Sequence, residues 1–323
     1  MRGTSDGAWV LVTPPQFRAA LDPLVLEHAR RREVVVHELA QLPGPDHWSA
    51  LVPTGSRGVL VVGSRRRSPA TVLPGLFVHD RAGRPVPAGW LPATPALSVF
   101  AAAAARVQRR ASVAPVAVLA QRSARYQRLT SRLVHHLGEV ESLRWGAERL
   151  TREDVVRALS ATGLGTAVYL GHGRPSGWAA YRGLRAAHLS PVSASPVGCL
   201  LSLTCWTASR WRVGTSFAEQ VVLLGATASS VGAVRPVLHL DTTRVVLALA
   251  AALRGGARDT AALLSSTFLD GGGVPTLEAE SFRLCGDPLA PTASDEKAAE
   301  RARAVFAPAP DFRPGGAEAR AAS

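Results

Sequence analysis

The sequence predicts an α/β fold in which helices cover both faces of a mostly parallel sheet. Short, continuous apolar runs, such as residues 58–63, are typical of strands that are buried on both faces. Segments with apolar residues at helical spacing separate these runs, and this alternation is typical of a parallel sheet. At 323 residues, 47% of them hydrophobic, the chain can bury the core of one large domain or two modest ones.

Residues 1–95 are predicted to form a smaller N-terminal α/β subdomain. Proline, glycine and arginine are frequent over residues 64–95, which predicts an irregular connection after the last strand of this block. Its predicted elements are a strand at 9–13, a helix at 16–32 and strands at 34–37 and 58–63.

Residues 96–292 are predicted to form the main domain. Residues 293–323 are predicted as a partly disordered tail, rich in Ala, Glu, Arg, Pro and Gly, with a helix at 295–304 that Ser294 caps. The predicted strands of the main domain are 116–120, 143–145, 167–170, 199–204, 226–234 and 282–285; its predicted helices are 96–110, 124–140, 216–224, 241–254, 258–268 and one that begins at Thr151 with a capping box to Asp154.

The chain carries a formal net charge of +13, and Lys297 is its single lysine, so arginine supplies almost all of the positive charge. Such a protein is attracted to nucleic acids, acidic proteins and anionic membranes. The arginines are scattered, however, and no aromatic residues alternate with them as a base-stacking surface requires. The pattern therefore favours a solvated basic surface over a nucleic-acid interface.

Three cysteines, Cys199, Cys205 and Cys285, occur without a CxxC pair, which argues against a disulfide framework or a zinc site. Cys199 and Cys285 fall within predicted strands and are expected in the core. Residues 1–7 are polar and lack the layout of a signal peptide, and no apolar run is long enough to cross a membrane. We therefore expect a soluble, cytoplasmic protein with no metal and no membrane contact.

His172 lies between Gly171 and Gly173, directly after the predicted strand 167–170. In open parallel sheets, ligands bind at the edge where the strands end. Because the flanking glycines leave the backbone bare, the N–H of Gly173 is a candidate donor to a substrate oxyanion.

Cys205 follows the predicted strand 199–204 in the same way, and parallel strands would bring it to the same edge as His172. A cysteine nucleophile needs a partner that relays its proton and then protonates the leaving amine, and an imidazole does both. Taken singly, a cysteine or a histidine is more often a packing residue. Two such strand ends together predict a cysteine-nucleophile site with His172 as the proton-transfer partner.

Residues 169–173, with the sequence Tyr-Leu-Gly-His-Gly and followed by Trp178, resemble the histidine motif of the gingipain-like cysteine peptidases. Leu-Ser-Leu-Thr-Cys at 201–205 resembles their cysteine strand. Residues 214–232 are similar to their following helix and small-residue strand, and Gly-Asp-Pro at 286–288 to their closing motif. CHAT-domain proteases and separases, of the same caspase-like clan, share several of these features. The resemblance spans most of the chain up to about residue 292.

This resemblance implies a caspase–haemoglobinase fold and a cysteine endopeptidase that needs no cofactor and acts on protein or peptide substrates. It implies that His172 is the general acid/base, that Cys205 forms a thioester, and that the N–H groups of Gly173 and Cys205 make the oxyanion hole. The candidate substrate-binding residues are Trp178, Trp206, His188 and Asp241.

The chain departs from arginine-specific gingipains, which use an acidic residue ahead of the catalytic strands in the specificity pocket. Here the strand 116–120 is followed by Gln-Arg-Ser, and the sequence does not rank the other acidic candidates. The signal, pro- and adhesin segments of secreted gingipains are also missing from the sequence, which favours an intracellular regulatory or defence role, as in bacterial systems, under a regulatory protein partner. The acidic candidates are Asp80, Glu141, Asp241 and Asp287.

Two other functions are consistent with parts of the sequence. One is a non-catalytic caspase-like interaction module, against which the joint presence of His172 and Cys205 argues. The other is a basic nucleic-acid-binding α/β protein, which the net charge of +13 motivates.

Overall fold

Strands and helices alternate along the chain, as the apolar runs predict. The structure is a computed structural model that describes residues 7–111, 115–189, 195–270, 276–293 and 297–304. The strands are β1 (Trp9–Thr13), β2 (Val34–Glu38), β3 (Gly58–Gly63), β4 (Phe77–His79), β5 (Pro85–Pro92), β6 (Val116–Ala120), β7 (Ser142–Gly146), β8 (Thr166–Leu170), β9 (Gly173–Arg174), β10 (Gly177–Trp178), β11 (Val197–Leu203), β12 (Thr227–Ala233) and β13 (Phe282–Gly286). The helices are α1 (Asp22–Ala29), α2 (Trp48–Leu51), α3 (Leu97–Gln108), α4 (Ala124–Leu137), α5 (Arg152–Ala161), α6 (Ala180–Gly183), α7 (Phe217–Leu223), α8 (His239–Arg254), α9 (Thr260–Phe268), α10 (Thr276–Ser281) and α11 (Ala298–Ala304).

One central sheet contains eleven of these strands, in the order β2-β1-β3-β5-β13-β12-β11-β8-β6-β7, with β4 paired to β5. The strands β2, β1, β3 and β5 are mutually parallel, and so are β12, β11, β8, β6 and β7. β13 runs antiparallel to β12. The predicted α/β class with a mostly parallel sheet is confirmed.

Helices pack on both faces of the sheet. One face buries apolar side chains of α1, α3, α5 and α7, and the other buries those of α4, α8 and α9. A third apolar cluster forms around Trp48 and Trp90 beneath the first strands. Within the described segments, no helix is both long and apolar enough to cross a bilayer.

Two sequence predictions in the first block were wrong. Residues 64–95 contain β4 and β5 and are not an irregular connection. Prolines at positions 85 and 87 leave alternate N–H groups available, and that of Ala88 donates to the Leu76 carbonyl at 2.8 Å. The helix predicted over 16–32 is confined to α1, because Pro23 lies in its first turn, where a missing N–H costs nothing.

The tail is described only in part. Its predicted helix is present as α11 (Ala298–Ala304), whereas the predicted cap Ser294 and the residues after 304 lie outside the described segments. The division into a subdomain at 1–95, a main domain at 96–292 and a tail stays a prediction.

A buried carboxylate joins the first helix to the last strand. Asp287, directly after β13, and His28 of α1 are both fully buried, with the His28 Nε2 atom 3.1 Å from the carboxylate. The carboxylate also accepts from the Gln108 side chain at 2.7 Å and from the Leu289 N–H at 3.1 Å. Burial alone would raise the pKa of Asp287, but the charge of His28 and these hydrogen bonds hold the pKa below its usual value.

We predict that His28→Ala lowers the free energy of unfolding by about 3–5 kcal/mol, because it leaves a buried carboxylate without its imidazole hydrogen-bond partner. Since the folded pKa of Asp287 is lowered, its contribution to stability is present at neutral pH and is lost as pH falls through and below the usual aspartate range. Urea unfolding at neutral and acidic pH measures both effects.

The control for this prediction is Arg18→Ala, which breaks the exposed ion pair between Arg18 and Asp22. That change should cost less than about 1 kcal/mol. A loss in His28→Ala no larger than the loss in the control would contradict the stabilising role of the buried pair.

Candidate active site

His172 and Cys205 lie at the same edge of the sheet because their strands are parallel neighbours. In the pairing of β8 with β11, the last paired residues are Leu170 and Leu203. His172 and Cys205 each follow two positions later, so both leave the sheet at the same level. The sequence prediction that two strand ends converge is confirmed by this register.

Gly173 lies directly against the backbone of Cys205. A methyl group added at Gly173 would overlap the Cys205 carbonyl oxygen and come within 2.8 Å of the Thr204 hydroxyl. Only glycine allows the two chain segments to approach this closely. The histidine loop and the cysteine strand are therefore in contact through their backbones.

Hydrogen bonds fix the backbone of His172 on both sides. Its N–H donates to the Gln121 side-chain oxygen at 2.8 Å, and its carbonyl accepts from the Tyr169 hydroxyl at 3.0 Å and the Ala179 N–H at 2.9 Å. The side chain itself is exposed at the edge of the sheet. A fixed backbone with an exposed imidazole suits a residue that transfers protons.

Tyr126 contacts the imidazole, and the sequence analysis did not identify it. Its hydroxyl lies 3.3 Å from the His172 Nδ1 atom, and the two rings meet edge to face. Burial raises the pKa of the Tyr126 phenol, Arg125 partly offsets this, and negative charge on Cys205 raises it further. Tyr126 thus contacts His172 through both its hydroxyl and its ring. The sequence signal that could have identified Tyr126 is its position in the first turn of α4, the helix that follows the parallel strand β6.

Cys205 is the accessible cysteine of the three. It is half-buried, whereas Cys199 and Cys285 are fully buried, and burial raises the pKa of both buried thiols. The Cys205 Sγ atom accepts a hydrogen bond from the Val237 N–H at 3.3 Å. Such a donor stabilises negative charge on sulfur. The prediction that Cys199 and Cys285 are core residues is confirmed.

A buried ion pair holds the segment that follows Cys205. Arg210 donates to both oxygens of the buried Glu219 at 2.9 and 3.0 Å, and Glu219 also caps α7 through Ser216. The Trp90 indole N–H donates to Glu219 at 3.0 Å, and Arg210 reaches the Arg65 carbonyl after β3 at 2.9 Å. The first strands and the cysteine loop are therefore connected at the edge of the sheet that carries His172 and Cys205, which we call the active edge.

The four predicted substrate-binding residues occupy different environments. Trp178 is 2% exposed; its ring stacks on Tyr169 at 4.3 Å, and its N–H donates to Ser202. Trp206, half-buried and next to Cys205, has a left-handed backbone with φ of 68°. His188 accepts from the Arg185 N–H at 3.0 Å. Asp241 belongs to α8, and its side chain lies outside the described part of the structure.

Three of the acidic candidates for a specificity pocket lie at the opposite edge of the sheet. Asp80 holds the turn before β5, accepting from the Gly55 and Arg84 N–H groups, and these bonds lower its pKa to about 2 despite burial. Glu141 precedes β7 and pairs with Arg303. Asp287 binds His28. Among these candidates, Asp241 is the one whose helix begins next to the cysteine, just after Val237.

No group of three or more His, Cys, Asp or Glu side chains in the described segments is arranged to hold a metal ion. The chemistry that this edge offers is that of its own thiol, imidazole, phenol and backbone N–H groups.

The family model of peptidase family C25 matches residues 111–293, which is more than half of the chain. The match includes the strands that carry both His172 and Cys205. A search of curated protein sequences gave no significant match.

Solved structures share the fold at low sequence identity. Gingipain R, an Arg-specific cysteine proteinase, matches with a TM-score of 0.62 and 11% identity over 90% of this chain and 79% of that one. The complex of Porphyromonas gingivalis RgpB pro- and mature domains matches with a TM-score of 0.62 and 13% identity over 88% and 80%. A chain of the Saccharomyces cerevisiae separase–securin complex matches with a TM-score of 0.51 and 14% identity over 72% and 16%. These matches confirm the predicted caspase-like fold.

We predict that Gly173→Ala reduces kcat/KM of peptide cleavage about 100-fold, because the added methyl group pushes the histidine loop away from Cys205. Gly214→Ala is the matched control, since a methyl group there meets no atom within 4 Å. Steady-state kinetics on one peptide measures both variants. Equal activity in the two variants would show that the close approach is not needed.

We predict that Tyr126→Phe reduces kcat about tenfold, because one hydrogen bond to the imidazole is lost while the ring packing stays. The pH profile of kcat should change as well, whereas the melting temperature should not. A lowered melting temperature with an unchanged pH profile would instead mark Tyr126 as a packing residue.

Proposed function

The chain belongs to peptidase family C25, a family of cysteine peptidases, and on this basis we propose that Cys205 and His172 cleave peptide bonds in protein substrates. The Cys205 thiol gives its proton to His172 while its sulfur attacks the scissile carbonyl carbon, and the C–N bond breaks as His172 passes that proton to the leaving amine. Water then attacks the thioester: its oxygen bonds to the acyl carbon, the C–S bond breaks, one water proton returns to the sulfur through His172, and the carboxylic acid product is released. The observation that supports this proposal most directly is the strand register: His172 and Cys205 follow neighbouring parallel strands, each two residues after the last paired position.

The oxyanion would be bound by the backbone N–H groups of Gly173 and Cys205. The close approach of Gly173 to the Cys205 carbonyl supports this assignment, since it fixes the two segments relative to each other. Fixed donors are effective because they need no reorganisation when charge develops on the oxygen.

Tyr126 would set the tautomer and orientation of the imidazole. If the Tyr126 hydroxyl accepts from the Nδ1–H of His172, the Nε2 atom is left to take the Cys205 proton and to pass it to the leaving amine. The hydroxyl thereby takes the orienting position that a carboxylate occupies in other catalytic triads.

The aromatic residues after Cys205 would form one wall of the substrate site. Trp206 packs against Trp211 at 5.6 Å between ring centroids, and Trp211 is 55% exposed. The buried Trp178 would instead support the histidine hairpin from behind. Asp241 remains the acidic candidate for a basic substrate residue, and the residue preference at the cleaved bond is left open by this proposal.

A regulatory setting fits the fold. The RgpB structure is a complex of pro- and mature domains, and the yeast separase structure is a complex with securin. By analogy, we propose that this chain acts in the cytoplasm on one or a few proteins, in a regulatory or defence role, and that a protein partner controls it.

We predict that a thiol-reactive peptide probe labels the wild-type protein at Cys205 and that Cys205→Ala abolishes both labelling and cleavage. His172→Ala should retain a thiol but lower peptide cleavage by about 1,000-fold or more, as loss of a catalytic base does elsewhere. Labelling is measured by intact-protein mass spectrometry, and cleavage with a peptide library.

Cys199→Ala and Cys285→Ala serve as controls for labelling, because both thiols are fully buried. Cleavage that persists unchanged in both Cys205→Ala and His172→Ala would rule out the proposed peptidase site.

A further inference from the structure

A cavity of about 370 Å³ lies beside the short hairpin of β9 and β10, which begins one residue after His172. Its side-chain lining is strongly basic, and no acidic residue is among the described residues that line it. We call it the arginine cavity and define it by its charged and titratable lining residues Arg152, Arg174, Arg182, Arg185 and His188.

Three of these arginines face the cavity without a carboxylate partner. Arg152 pairs with Glu153 at 3.0 Å on the surface. For Arg174, Arg182 and Arg185, the described residues supply no ion pair. Like charges that converge in a recess attract an anion, because the recess concentrates their field.

The arginine cavity is close to the reacting atoms. Gly173 touches Cys205, and the next residue, Arg174, pairs with Gly177 across the hairpin. Gly177 in turn bridges to Arg185. Because neighbouring strands are about 4.8 Å apart, the Arg185 backbone lies within about 10 Å of Gly173. An extended peptide advances about 3.4 Å per residue, so this distance spans about three substrate residues.

The backbone beneath the arginine cavity is held in an unusual conformation. Tyr181 and Arg182 have left-handed φ values of 53° and 55°, and Gly183 follows with φ of 80°. The buried Tyr181 hydroxyl donates to the Trp145 carbonyl and so fixes the turn from below. Consecutive left-handed residues other than glycine are costly and are retained mainly at functional sites. Here they present Arg182 to the cavity.

Three acidic side chains on this edge are already engaged in ion pairs. Glu153, Asp154 and Glu219 pair with Arg152, Arg157 and Arg210. Their carboxylates are therefore occupied elsewhere than at Arg174, Arg182 and Arg185.

We propose that the arginine cavity binds an anionic side chain of the substrate polypeptide within about three residues of the cleaved bond. The ligand is a carboxylate of Asp or Glu or the phosphate of a phosphorylated Ser or Thr, since a guanidinium donates two parallel hydrogen bonds to either. This inference rests on the proposed peptidase function and specifies its substrate class: proteins with an acidic or phosphorylated segment beside the cleavage site.

The test uses binding to the inactive Cys205→Ala protein, so that it does not depend on cleavage. Peptides from a random library, with and without phosphoserine, are captured on this protein and sequenced by mass spectrometry. We expect peptides with Asp, Glu or phosphoserine to be enriched about tenfold over neutral ones. Separate enrichment of the carboxylate and phosphoserine peptides identifies which anion is preferred.

The double change Arg182→Gln/Arg185→Gln, made in the Cys205→Ala protein, should reduce the ratio of acidic to neutral peptides about tenfold. Arg254→Gln/Arg258→Gln is the matched control, because it removes the same charge from exposed positions at the other end of α8 and beyond it. Circular dichroism confirms that each variant is folded. If the control variant keeps the ratio of acidic to neutral peptides, the anion-binding site is localised at the arginine cavity.

Three outcomes would overturn the proposal: no enrichment of anionic peptides, an equal loss of enrichment in both double variants, or displacement of all peptides by a short oligonucleotide without any preference among them. The last would indicate a nucleic-acid surface instead. Failure of the peptidase function is detected separately, as cleavage and probe labelling that do not depend on Cys205.

Discussion

The active edge depends on one close contact, the approach of the Gly173 backbone to the Cys205 carbonyl. The parallel pairing of β8 with β11 brings the two chain segments to the same level, and the missing side chain at Gly173 allows them to touch. Proton transfer and oxyanion binding both require positions that are fixed to a fraction of an ångström. Gly173 meets that requirement although glycine is conformationally flexible, because the pairing of β9 with β10 restrains the loop on its other side.

Buried polar groups hold the surroundings of this contact in place. His172 is anchored through its backbone by Gln121 and Tyr169, and the loop after Cys205 is anchored by the Arg210–Glu219 pair. Tyr169 and Glu219 make their hydrogen bonds away from water, where an unmade bond is expensive. The side chains of His172 and Cys205, the proposed catalytic pair, are exposed and half-buried, while Tyr169 and Glu219, which support them, are buried. The reactive side chains and the side chains that stabilise this region are therefore different residues of the same few strands and loops.

Three carboxylates and the arginines of the cavity lie at opposite edges of the sheet. The carboxylates of Asp80, Glu141 and Asp287 lie at the edge where the parallel strands begin and are engaged there in turns or ion pairs. Arg174, Arg182 and Arg185, which have no ion pair among the described residues, line the recess beside the histidine hairpin. The net charge alone suggested a solvated basic surface, but this convergence is the basis of the proposed anion site.

The sequence by itself determined the α/β class, most of the strands and the pair His172 and Cys205, because these are recorded in local apolar runs and in glycines next to strand ends. It did not determine β5, whose prolines are acceptable because the neighbouring segment accepts hydrogen bonds from other residues of β5, as the Leu76 carbonyl does from the Ala88 N–H. Nor did it reveal the contact of Tyr126 with the imidazole or the convergence of the cavity arginines. Those depend on distances between residues far apart in the chain, which only the tertiary packing of the helices and the sheet decides.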